Sequence, residues 1–101
     1  MYLIQILLPL YDNEGAPFER KVYERVREEL IKKFGGVTAF HSSPAEGIWK
    51  EGGEVSRDAI IVFEVMTAEL EREWWTQYRR DLEARFRQEK MIVRATSIEQ
   101  L

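Results

Sequence analysis

Three side chains in this sequence are polar where their neighbours are apolar. Gln5 interrupts Tyr2–Leu8 (YLIQILL), Glu64 interrupts Ala59–Met66 (AIIVFEVM), and Arg94 interrupts Met91–Ile98 (MIVRATSI). Brought side by side among apolar walls, an amide, a carboxylate and a guanidinium can hold the polar end of a small ligand. The plainer alternative is a structural network in which Glu64 and Arg94 compensate one another directly or through Gln5, as buried charges must. His41 is the one histidine, and so the one side chain whose ordinary pKa lies near neutrality and a candidate general base. Standing without an evident partner, it is weak evidence for catalysis, and a rim or hydrogen-bonded structural role is the plainer reading. Trp49 belongs to the same segment and suits a pocket wall. His41 and Glu64 are therefore the catalytic candidates, and Gln5, Trp49 and Arg94 the ligand-binding ones. A metal would need His41 together with carboxylates such as Glu46 or Glu51, and no ligand spacing supports one. No metal or cofactor is expected.

The composition narrows the setting. A chain of 101 residues corresponds to one domain, 1–101. Its apolar fraction of 45% and charged fraction of 33% are those of an ordinary globular protein. A net charge of -3 and a pI near 5.3, with basic residues set beside acidic ones along both helical stretches, argue against a nucleic-acid partner. There is no cysteine, which excludes disulfides, thiolate metal sites and cysteine nucleophiles. The first residues lack the basic start and small-residue cleavage site of a signal peptide, and no apolar run approaches the roughly 18–20 residues of a membrane span. A cytoplasmic protein that does not enter membranes is the expectation.

The candidates must be positioned by six elements. Tyr2–Leu8 is apolar on both pleat faces and predicts a strand covered on both sides. Pro9 and the polar Tyr11–Gly15 stretch end it. Pro17 suits the first turn of a helix that runs to Phe34, with Phe18, Val22, Val26, Leu30 and Phe34 on one face and Tyr23 and Ile31 beside them. Gly35 is placed to be its left-handed cap, and Lys32 and Lys33 complement its C-terminal dipole. Val37–Ser42 alternates as a strand, Ser43–Gly47 breaks it and Ile48–Lys50 resumes it, while Glu51–Glu54 reads as a hairpin turn. After the Ala59–Met66 strand, Thr67 is the expected N-cap of a second helix reaching Gln88. Its predicted core stripe is Leu70, Trp74, Tyr78, Leu82 and Phe86, with Trp75 on a flank facing an interface or pocket. Its Asp81–Arg85 and Glu83–Arg87 pairs read as a solvated face. Met91–Ile98 is the closing strand.

A βαββαβ order with right-handed crossovers folds most economically as a ferredoxin-like α+β sandwich. Its antiparallel four-stranded sheet has strand order 4-1-3-2, with both helices on one face. Strand parity then puts Ile4, Ile6, Ala59, Ile61, Phe63, Val65, Met91 and Val93 against the helices. Leu3, Gln5, Leu7, Ile60, Val62, Glu64, Met66, Ile92, Arg94, Thr96 and Ile98 share the second face, where Arg94, Gln5 and Glu64 fall on adjacent strands. So apolar a face is unusually large to leave in water, and a homodimer through it is expected.

On these two-sided strands and this element order, the whole chain resembles the dimeric α+β barrel superfamily, in which two such sheets pack face to face. That superfamily includes small monooxygenases of the antibiotic-biosynthesis type and muconolactone isomerase-like proteins. The segment FGGVT…SPAEGIW…D…VFEV is also similar to uncharacterised small bacterial proteins. The resemblance implies a dimer enclosing a cavity between the sheets. It carries over no catalytic set.

Two functions of different kind follow. One is a cofactor-independent enzyme, monooxygenase- or isomerase-like, acting on a small, partly apolar molecule inside a dimer barrel. The other is a non-catalytic small-ligand-binding or assembly domain, whose pocket would lie at the subunit boundary or near Asp12–Gly15. A ligand in the barrel is expected to lie against the His41–Trp49 segment, because a strand broken at Ser43–Gly47 opens a mouth there. An RNA-recognition module shares the element order, but its third strand carries basic and aromatic residues where this one reads DAIIVFEV. Gly35-Gly36 and Gly52-Gly53 precede strands, not helices, so no phosphate-binding glycine loop is present.

Overall fold

Residues 2–9 become the centre of the sheet because both their faces are apolar and both their edges are taken. The computed structural model describes residues 1–42, 50–51, 54–55 and 60–101, and the side chains of 1–40 and 60–101. The elements run β1 (Tyr2–Pro9), α1 (Arg20–Phe34), β2 (Thr38–Ser42), β3 (Lys50–Glu51), β4 (Glu54–Val55), β5 (Ile60–Thr67), α2 (Arg72–Arg85) and β6 (Ile92–Ser97). Four strands form one antiparallel sheet in the order β2-β5-β1-β6, and β3 and β4 pair separately, Lys50 opposite Val55. Counting the sheet strands alone, the order is 2-3-1-4, the expected 4-1-3-2 seen from the other end. With two helices, this α+β arrangement is compatible with a ferredoxin-like fold.

Alternation does the sorting on the strands. Ile4, Ile6 and Leu8 of β1 and Ile61, Phe63 and Val65 of β5 are buried, together with Val26 and Leu30 of α1, Trp75, Tyr78 and Leu82 of α2, and Phe86 and Met91 beyond it. α1 ends as its sequence dictates. Gly35 adopts φ 83° and its N–H donates to the Ile31 carbonyl at 2.8 Å, a conformation that glycine reaches without steric cost.

Both helices start later than expected. Pro17 forms an antiparallel bridge with Tyr11, and the Asp12 carboxylate accepts from the N–H groups of Glu14 and Ala16 at 2.9 Å each. This Asx-type loop competes successfully with a helical turn, so α1 begins at Arg20. Thr67 remains in β5, and its hydroxyl donates to the Glu69 carbonyl at 2.8 Å. It bends the chain instead of capping α2, which begins at Arg72.

The α2 stripe shifts for a geometric reason. Steps of four residues drift by about 40° each on a 3.6-residue helix, so Leu70 and Phe86 would lie about 160° apart. The packed stripe uses one three-residue step instead, Trp75, Tyr78, Leu82, Phe86. Trp75 is therefore core, at 6% exposure, and Trp74 is the half-buried flank. Phe34 stacks on Trp75 at 5.2 Å and meets Trp74 edge-on at 5.4 Å. These contacts join the end of α1 to the start of α2.

Candidate functional site

The sheet face away from the helices carries the candidate residues, and strand register sets them in rows. Thr38, Glu64, Gln5 and Arg94 lie opposite one another across β2, β5, β1 and β6. The next row along this face is Phe40, Val62, Leu7 and Ile92, and the row on the other side includes Met66, Leu3 and Thr96. One polar row thus crosses a mostly apolar face. Phe40 at 48%, Met66 at 53% and Ile92 at 50% exposure show that nothing within the chain's described residues covers it.

Within the polar row, the Arg94 Nε–H donates to the Gln5 side-chain carbonyl at 2.8 Å. Glu64 sits half-buried on the far side of Gln5, and among the described residues it forms no ion pair with Arg94. Gln5 spends its acceptor on the guanidinium, and its amide N–H groups lie on the side chain that separates the two charges. The row therefore runs from an anionic end at Glu64 to a cationic end at Arg94. With strands about 4.8 Å apart, these ends are roughly 10 Å from one another. Arg94 offers N–H donors, Glu64 carboxylate acceptors and Thr38 a hydroxyl. Thr38 was absent from the expected set. The parity of VTAFHS, in which Thr38 and Phe40 share a face, carried the signal.

His41 pairs through its backbone with Ile61. It stands three positions along β2 from Thr38, about 10 Å at the usual strand rise. Trp49 and the Ser43–Gly47 break lie outside the described residues. Among the described residues, no three His, Asp or Glu side chains come together as metal ligands, and no helix is long and apolar enough to cross a membrane.

Groups with displaced titration lie elsewhere, most closely coupled between the two helices. Glu29 of α1 receives both guanidinium N–H arms of Arg85, one at 2.8 Å, and the Tyr78 hydroxyl at 3.1 Å. The Arg85 hydrogen bonds hold the Glu29 carboxyl below the usual carboxylate range. Burial, then the Glu29 charge, pushes the Tyr78 phenol up. Glu83 accepts from Arg79 at 2.9 Å and from the Met91 backbone N–H at 2.9 Å, and the latter bond chiefly lowers its pKa. The charges expected on a solvated helix face thus tie α1 to α2 and α2 to the start of β6. They are structural ion pairs.

Comparison with known proteins adds one solved structure. A phage SAM lyase in complex with S-methyl-5'-thioadenosine superposes with a TM-score of 0.58 at 16% identity, over 95% of this chain and 80% of that one. At that identity the likeness shows the fold alone. No protein-family model and no curated protein matches the chain.

Proposed function

We propose that the protein acts as a homodimer packed through its open sheet face, and that the Thr38–Glu64–Gln5–Arg94 row binds a small, partly apolar molecule on which the dimer acts as an enzyme. The observation that carries this reading is the row itself. A carboxylate and a guanidinium stand at opposite ends of a polar line, and apolar rows lie on both sides. A face of this kind would be an exposed apolar patch in a lone protomer. In a dimer it becomes the wall of an inter-sheet space with fixed polar contacts.

The chemistry of the row selects a ligand with a hydrogen-bond acceptor or anionic group for Arg94 and a donor or cationic group for Glu64. Both would sit on a body that the aliphatic rows can cover. S-adenosylmethionine, which carries a carboxylate and cationic centres, has this character, and the ligand named with the structural neighbour is a related thioether nucleoside. Both compounds are therefore the first probes. Isothermal titration calorimetry with each should show saturable binding to the native chain, weakened at least about tenfold by Glu64→Gln or Gln5→Ala, the loss expected for one charge-assisted hydrogen bond. Chromatography of the same mixtures then reads turnover. Binding with no product would favour the non-catalytic ligand-binding alternative. Absence of binding to either probe, or binding indifferent to both substitutions, would remove the row from the site.

A further inference from the structure

On the other side of the sheet, a cleft of about 250 Å³ opens between the first half of α2 and strand β6. We infer that this cleft is a second binding site, for a small organic oxyanion: a carboxylate or phosphate group on a compact apolar body.

The wall on the β6 side is the consecutive run Val93, Arg94, Ala95. Neighbouring residues of a strand point to opposite faces, so what three in succession share is the strand's edge. β6 ends the sheet order and pairs only with β1, which leaves outward N–H and C=O groups along that edge without a ladder partner in the sheet. Such N–H groups are donors for an oxyanion.

The α2 wall supplies the charge. Arg72 and Arg79 are separated by two helical turns and so share a face, with Thr76 between them, and all three line the cleft. Arg79 divides its guanidinium with Glu83 at 2.9 Å. Arg72 has no carboxylate in ion-pair contact among the described residues. It also occupies the first position of α2, where the helix dipole is already positive and a cation is disfavoured. An anion in the cleft would relieve that repulsion and could be gripped by two hydrogen bonds from a planar guanidinium.

The floor is apolar, formed by Ile4, Leu70 and Trp75. Trp75 is more than nine-tenths buried, and its indole Nε1 is the buried side-chain polar atom that lacks a hydrogen-bond partner among the described residues. The volume is below the roughly 300–1,000 Å³ of drug-sized pockets, which limits the occupant to a fragment-sized molecule. The Arg94 guanidinium is bonded to Gln5 on the open face. Arg72 and Arg79 therefore carry recognition here, and this site stands independently of the open-face reading.

The test is a ¹H–¹⁵N NMR titration of the full chain with phenyl phosphate and benzoate, with benzyl alcohol as the neutral control. Saturating shifts should gather on the Trp75 indole N–H and the amides of Thr76, Val93 and Ala95 with at least one of the two anions, and which anion binds tells phosphate from carboxylate. Arg72→Gln changes an exposed side chain, leaves the fold's hydrogen bonds in place, and should weaken binding about tenfold, the loss of a charge-assisted hydrogen bond. The inference is overturned by the absence of saturable shifts, by benzyl alcohol binding as tightly as the anions, by affinity unchanged in Arg72→Gln, or by shifts centred on Leu3, Leu7 and Val62.

Discussion

Replacing Ile92 by Lys tests the proposed dimer at a position that the protomer itself hardly uses. Ile92 is 50% exposed and lies opposite Leu7 at one end of the apolar row. In an isolated protomer, a substitution at so open a site changes stability by no more than about 0.5 kcal/mol. In a dimer through this face, the remaining half of the isoleucine is buried, worth about 1 kcal/mol. The lysine would lose that and would also bring an unpartnered ammonium into the interface at a cost of at least about 1 kcal/mol. Two copies double the penalty to about 4 kcal/mol, about a thousandfold in the dissociation constant. Arg94, two residues along the same face, adds like-charge repulsion. Sedimentation velocity at micromolar concentration should give twice 12.0 kDa for the native chain and 12.0 kDa for Ile92→Lys, with unchanged far-UV circular dichroism. A native chain that sediments as a protomer, or a variant that stays associated with undiminished affinity, refutes the reasoning.

Three further outcomes follow from the packing. Trp75→Ala should cost about 4 kcal/mol in urea denaturation and Trp74→Ala less than half of that, because Trp75 is buried and Trp74 only half-buried; equal losses would contradict the described α2 stripe. Gly35→Ala should cost about 1 kcal/mol although nothing crowds the added methyl group, since its φ of 83° is unfavourable to any residue with a Cβ; a neutral substitution would mean that α1 ends differently. Glu29 has a folded-state pKa below its unfolded value, so its contribution is present above the unfolded pKa and is lost as pH falls through the folded one. That contribution is about 1 kcal/mol for a pair that is only partly buried. Urea midpoints of native chain and Glu29→Gln should therefore differ at neutral pH and converge in acid, and parallel pH profiles would show that the Arg85 pair contributes nothing.

The order of strands and helices, the buried face of the sheet and the cap at Gly35 were legible in the sequence. Each follows from local rules: alternation along a strand, apolar spacing along a helix, and the freedom of glycine at positive φ. The same alternation placed Gln5, Glu64 and Arg94 on one face, because a residue's parity is known once its strand is. Other features needed the folded chain. The starts of the helices moved because Asp12 and Thr67 satisfy nearby backbone groups through their side chains, and that competition is settled by a few hydrogen bonds. Trp75 displaced Trp74 from the core because a helix can follow a three-residue or a four-residue step, and only packing against Phe34 and β1 chooses between them. The Glu29–Arg85 bridge joins residues distant in sequence, where spacing along the second helix suggested the local Asp81–Arg85 pair instead. The Arg72–Arg79 cleft likewise depends on how α2 overhangs the edge of β6. Sequence periodicity says which face of an element is apolar. It carries no information about the distance between one element's polar face and another's open edge, which is set by side-chain volumes throughout the core.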